Sequence, residues 1–328
     1  MFANDFAPRD GILRVHLIGH GEEPPKSDAF LLEYNGALVL IDGGLIGCSA
    51  SLEYLLNIRR TFLRSHPELW EDTACRLKIR VMISHCHRDH IGALITHVFS
   101  SPMIEMEELY LPPDSELDER YGLSGDLKYR SGLNEARENH QPNARVIDIG
   151  FGSDNRMTIP MTVDADAPVI TLCPPCCNSA SPECLKLIGD ALKPGEENPD
   201  LATLVTNNNS VWMHVRHGKR SFLFTGDTVK KEKTMGYEMV DEMLSAYADV
   251  LGQVDVVKFV HHGYKRDGAV DAMMSLSPRY VFVTTSLATA DGVLHEKYPA
   301  CGVKTLNCGV NTYIFESDGE TLSVSPEV

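Results

Sequence analysis

Residues His85, Cys86, His87, Arg88, Asp89 and His90 bring three imidazoles and a carboxylate into six consecutive positions. Imidazole nitrogen and carboxylate oxygen are donors that zinc and similar divalent cations accept. Spacing matters as much as composition. While the chain runs extended, side chains alternate, so His85 and His87 face one way and Cys86 the other. A turn after His87 then swings Asp89 and His90 toward a second position a few ångströms away. Read alone, any one of these residues is a polar loop residue or a core histidine. Four such groups in so short a run repel one another or stay unsatisfied unless they grip a cation, so a metal site is the expectation. Cys86 is expected to be buried filler rather than a ligand.

The run needs elements to hold it. Residues 78–84 read as a buried strand and 91–99 (IGALITHVF) as a helix; strand-to-helix turns are where open α/β layers place their chemistry. Upstream, 12–18, 29–33 and 37–42 are short β-branched or leucine-rich runs, expected as consecutive strands. Asn35-Gly36 between the second and third is a two-residue hairpin signal. Asp42-Gly43-Gly44 ends the third, and a helix is expected over 51–66, where Leu52, Leu55, Leu56, Phe62 and Leu63 fall near helical spacing. Residues 100–165 are polar and poorly periodic, and no element is assigned there before a strand at 168–172. Residues 173–209 read as an excursion holding a short helix at 185–192. Strands at 210–216 and 220–225, a long amphipathic helix over 229–251, a strand at 255–260, a helix at 270–276 and a strand at 279–285 follow. A hairpin of 309–316 with 321–325, turned at Asp318-Gly319, closes the chain. No residue-level repeat is present. The pattern predicts one α/β domain over 1–328 with two similar halves, roughly 12–165 and 166–328. Two face-to-face sheets with helices outside make a four-layer αββα sandwich.

Composition narrows the classes. Of 328 residues, 43% are hydrophobic, enough for one large core. No stretch approaches the roughly 20 apolar residues of a bilayer-spanning helix. The start MFANDFAPRDG lacks the basic and apolar regions of a signal peptide, so a soluble, cytoplasmic protein is expected, with no membrane partner. Nine cysteines, an odd number, several within apolar runs, suit a reducing compartment. Cys173, Cys176, Cys177 and Cys184 form a cluster without the second pair of a zinc ribbon, which disfavours a structural zinc knot. The formal charge of -16 makes long nucleic acid a poor partner and favours a small molecule or short oligonucleotide.

The second half supplies further chemistry: SFLFTGD presents Asp227 after a strand, and VVKFVHHG presents His261 and His262. With the His-x-His-x-Asp-His run, these residues resemble the metallo-β-lactamase superfamily over nearly the full length. The ordered matches Asn208-Asn209-Ser210, Thr225-Gly226-Asp227, Asp255-Val256-Val257-Lys258 and His261-His262-Gly263 are similar to the hydrolase domain of the bacterial competence (DNA-uptake) channel protein and its stand-alone relatives. The resemblance implies one metal held by His85 and His87 and a second by Asp89, His90 and His262, with Asp227 bridging. It implies a structural role for Asp42 in orienting the metal-binding loop, with His261 beside the ligands rather than among them. Family members with a complete site carry one more histidine before the bridging aspartate. His140 lacks the strand and glycine of that position, which leaves the first metal short of a ligand.

The implied activity is hydrolysis with two divalent metal ions, zinc foremost and manganese or iron also suited, generating a metal-bound hydroxide. Asp89 and Asp227 belong to that catalytic centre, and Lys265, Tyr264 or His295 are candidates to meet the departing oxygen. Phosphodiester cleavage of the nuclease type is the leading expectation. An acyl hydrolase (lactonase or thioesterase) on the same metals, and a non-catalytic protein with a degraded site, are the alternatives.

Overall fold

Strand β1 (Leu13–Leu17) alternates Leu13, Val15 and Leu17 toward one buried face with Arg14 and His16 toward the other, and the fold is built outward from such strands. The computed structural model describes residues 10–20, 27–65, 76–113, 124–177, 199–229, 239–263, 269–285, 298–309 and 311–326. β2 (Phe30–Tyr34) and β3 (Ala37–Ile41) form the expected hairpin, with Asn35 and Gly36 both at positive φ (46° and 79°), as a two-residue turn of this hand requires. Helix α1 (Ala50–Ser65) follows, then β4 (Leu77–Met82), helix α2 (Arg88–Ala93) with a π-helical continuation at Leu94–Val98, and β5 (Ile104–Leu111).

The stretch 100–165, to which the sequence assigned no element, holds β5, helix α3 (Ser124–His140), β6 (Arg145–Asp148) and β7 (Met157–Pro160). After β8 (Val169–Cys173), helix α4 (Pro199–Asn208) occupies the end of the supposed excursion; the expected helix at 185–192 lies outside the described residues. β9 (Trp212–His217) and β10 (Arg220–Phe224) pair antiparallel. The helix expected over 229–251 is, in its described part, two pieces, α5 (Met239–Ala246) and α6 (Ala248–Leu251), interrupted where Tyr247 leaves helical geometry at φ -115° and ψ 20°. β11 (Val256–Lys258), α7 (Ala269–Met274), β12 (Tyr280–Val283), an unforeseen β13 (Lys304–Asn307), and the hairpin β14 (Tyr313–Ser317) with β15 (Leu322–Ser325) complete the order.

Two sheets result, ordered β15-β14-β1-β2-β3-β4-β5-β6 and β13-β12-β11-β10-β9-β8-β7. One apolar core lies between them, joining Val15, Phe30 and Phe315 of the first to Ile170, Phe224 and Phe282 of the second. A second core covers the outer face of the first sheet under α1, α2 and α3, and a third covers the second sheet under α5, α6 and α7. The expected four-layer αββα sandwich is therefore present. The sheets do not divide at residue 165: β7 joins the second sheet, and the closing hairpin returns to the first, where β14 pairs with β1. Among the described residues no helix is long and apolar enough to cross a membrane.

Strands β3 to β6 run parallel, as do β10 to β13. Parallel neighbours release their chains at the same edge, so loops far apart in sequence emerge side by side. That edge carries Asp42 after β3, Ser84 to His90 after β4, Asp227 after β10 and His261-His262 after β11.

Candidate metal centre

The loop after β4 is fastened by Asp42. Ser84 donates its backbone N–H to Asp42 Oδ1 (2.8 Å) and its hydroxyl to Oδ2 (2.7 Å), and His90 Nδ1 lies 2.8 Å from the same Oδ2. Asp42 has φ 54°, a left-handed conformation that aspartate tolerates better than most residues. Backbone bonds seat α2 on the same loop: the N–H groups of Gly43 and Gly44 donate to His90 O, and that of Ile46 to Arg88 O. A side chain at Gly92 would overlap the backbone of Ile46. Gly92→Ala is expected to push this loop off α2 and cost about 1–3 kcal/mol, the usual toll of overpacking; thermal melting measures it, and an unchanged midpoint would refute the close approach.

His87 keeps extended geometry (φ -94°, ψ 155°) at the N-cap position of α2, with no side-chain capping bond. Its Nδ1 lies 3.0 Å from His85 Nε2, so the two imidazoles stand side by side. Cys86 is buried in the outer core beside Ile83 and Ile91. Asp89, on the first turn of α2, stays partly exposed and reaches His262 Nε2 at 3.3 Å.

The second half brings Asp227 in on a tightly held turn. Its N–H donates to Ser210 Oγ (3.1 Å), Val229 N–H donates to Asn208 Oδ1 (3.0 Å), and a Cβ on Gly226 (φ 55°) would strike Ser210. Lys258 is fully buried and donates Nζ to Gly226 O (2.6 Å), with Asp28 Oδ2 at 2.9 Å and Asp227 Oδ1 at 3.4 Å. His261 and His262 are both left-handed (φ 47° and 58°). Non-glycine residues adopt this only at a cost, and such strain gathers at functional sites.

Asp227 Oδ2 is the common neighbour. It lies 2.9 Å from His262 Nε2, 3.3 Å from His90 Nε2, 3.9 Å from His85 Nε2 and 4.0 Å from His261 Nε2. The structure thus brings His85, His87, Asp89, His90, Asp227, His261, His262 and Asp42 to one site; Tyr264, Lys265, Cys184 and His295 lie outside the described residues, and His140 is exposed at the end of α3. Asp28, to which the sequence assigned no role, joins them: one ligand atom each from Asp28, His90, Asp227 and His262 lie within 4.8 Å of one another.

The donors fit a cation. His90 Nδ1 faces Asp42 and His262 Nδ1 faces Asp28 Oδ1 (3.0 Å), while the buried Nε2 atoms of both converge on Asp227 Oδ2. A carboxylate holding Nδ1–H leaves the Nε2 lone pair free for a metal. Charge gives the same answer, since among the described residues the carboxylates Asp28, Asp42, Asp89 and Asp227 gather here with a single buried ammonium, Lys258. Burial alone would lower His262 and His90, but Asp227 and Asp28 override it, raising His262 to about 10 and His90 well above the histidine range. Burial would raise Asp227, yet His262, His90 and Lys258 hold it well below the carboxylate range. Burial would also raise Asp89, but the hydrogen bond to His262 and the charge on His90 bring it to about 2. His85 goes down, by burial first and then by its histidine neighbours. Protons thus balance carboxylates where a divalent cation would do so instead.

No protein-family model and no curated protein matches this sequence. Solved structures similar to it include the metallo-β-lactamase fold protein YhfI from Bacillus subtilis, at 12% identity over 94% of this chain and 100% of that one, with a TM-score of 0.47. Others are Zn(2+)-bound PqqB from Methylobacterium extorquens (12%, 92% and 99%, TM-score 0.46) and a diphosphatase of the PhnP family (13%, 92% and 96%, TM-score 0.45). Likeness at this level adds nothing to the site, which stands on its own geometry.

Proposed function

We propose that this chain is a metal-dependent hydrolase that cleaves phosphodiester bonds in a small molecule or short oligonucleotide. The observation that carries the hydrolase reading is the convergence on Asp227 Oδ2 of imidazoles from both sheets, two of them with buried Nε2 atoms and carboxylate-held Nδ1 atoms. His85, His87 and Asp227 would hold one cation and Asp89, His90, His262 and Asp227 the other. Divalent cations bound there supply Lewis acidity that activates water and clamps the oxygens of a scissile group. Asp42 and Asp28 fix the tautomers of His90 and His262. Asp89, with its side chain 20% exposed against 3% for Asp227, is the carboxylate of the set that solvent reaches. The phosphodiester preference is supported by the ordered likeness of the second half to the competence-channel hydrolase domain, and the short substrate by the net charge of -16.

Protein loaded with zinc, manganese or iron should turn over a bis-aryl phosphate in preference to an aryl ester or a lactone, with activity and metal both lost in His87→Ala. Preference for the carbonyl compounds would overturn the phosphodiester assignment in favour of an acyl hydrolase. Failure to hold stoichiometric metal after reconstitution would overturn the metal centre itself.

A further inference from the structure

The last turn of α4 and the residues after it are built against the centre. Asn208 Oδ1 accepts from Val229 N–H and Ser210 Oγ from Asp227 N–H, so each holds the turn that carries Asp227. Asn207, at the same helix end, holds neither. It is 2% exposed, and its Nδ2 lies 3.5 Å from His261 Nε2, which in turn lies 4.0 Å from Asp227 Oδ2. Its side-chain oxygen is buried and has no hydrogen-bond partner among the described residues. A buried amide oxygen left unpaired is costly, and such orphans persist where a ligand or ion completes them. Among the described residues, the first cation position has His85, His87 and Asp227, one short of a tetrahedral set.

We propose that Asn207 Oδ1 is the fourth protein ligand of the first cation, its amide turned by the contact between Nδ2 and His261 Nε2. This rests on the metal-centre reading above. An amide oxygen is a harder donor than imidazole, so this position favours manganese relative to a three-histidine site, which would favour zinc.

The test counts cations per chain by elemental analysis on the full protein reconstituted with zinc or manganese, and follows manganese by its paramagnetic resonance in competition with zinc. Wild type should hold two cations. Asn207→Leu, which fills the space without an oxygen, should hold one and bind the other at least about tenfold more weakly, the usual scale for losing a supporting ligand group. Asn207→Asp should keep both, and Asn207→His should keep both while shifting the first position toward zinc. Two tightly held cations in Asn207→Leu would overturn the inference while leaving the centre intact; a wild type that holds none would overturn the centre and the inference with it. Should Asn207→Leu fail to fold, an unchanged zinc-to-manganese preference in Asn207→His overturns the inference.

Discussion

Replacing Asp227 with asparagine is expected to leave a folded protein that retains neither cation, with hydrolysis of a bis-aryl phosphate reduced roughly a thousandfold or more. Several kcal/mol of charge stabilisation in the transition state are at stake, and each 1.4 kcal/mol or so is a factor of ten. One oxygen of Asp227 neighbours imidazoles from both ligand runs, so the amide removes charge from both positions while keeping shape. Elemental analysis beside the rate decides it: two cations retained by Asp227→Asn would remove Asp227 from its bridging place. The metal-free protein offers a second reading. Asp227 and Asp28 raise His262 to about 10. A histidine raised on folding contributes stability that is complete below its unfolded value of about 6.5 and is lost as pH rises through the folded one. Metal-free wild type should therefore lose stability as pH climbs toward 10. Asp227→Asn leaves Asp28 and the more exposed Asp89 beside that imidazole, and its loss should begin at lower pH in thermal melts across this range.

Much of this site was legible because its parts are local. The His-x-His-x-Asp-His run follows a strand whose apolar character is plain, and Asn35-Gly36 fixes its hairpin through backbone preference alone. The middle of the chain was illegible for equally local reasons. β5 pairs with β4 through a bulge: Ile79 opposes Met106 and Arg80 opposes Glu108, so Glu107 is an extra residue that breaks the alternation a strand is read by. Among its described side chains α3 buries Leu133 and Ala136 along a polar sequence interrupted by glycines, and β7 is a four-residue edge strand ending in proline. Asp28 left no trace at all, since its partner His262 is 234 residues away. Lys258 did leave one, as a lone charge in an apolar strand, though its role follows only from the turn it reaches. Asn207 was hidden among three successive asparagines at the end of the excursion assigned to 173–209, where only the helix end distinguishes their directions.

Lys258→Met is expected to have the largest effect on stability. The ammonium is buried at 0% exposure between Asp28, Asp227 and the carbonyl of Gly226, so methionine fills its volume but leaves Asp28 charged, buried and without its cation. Removing one partner of a buried pair costs about 3–5 kcal/mol, because the survivor keeps its desolvation penalty. In a chain of this size that corresponds to a fall in melting temperature on the order of 10 °C. The double variant Lys258→Met with Asp28→Asn should recover most of the loss: no unpaired charge remains, and the asparagine oxygen can still accept from His262 Nδ1. Contacting residues of this kind are non-additive, so the double variant should be more stable than Lys258→Met alone. A double variant that is less stable, by the sum of the two single losses, would show that Lys258 and Asp28 act independently. Salt separates this pair from surface charges. At about 1 M the screening length in water is only about 3 Å, yet a pair with no solvent between its members is screened little, so the difference between wild type and Lys258→Met should persist there.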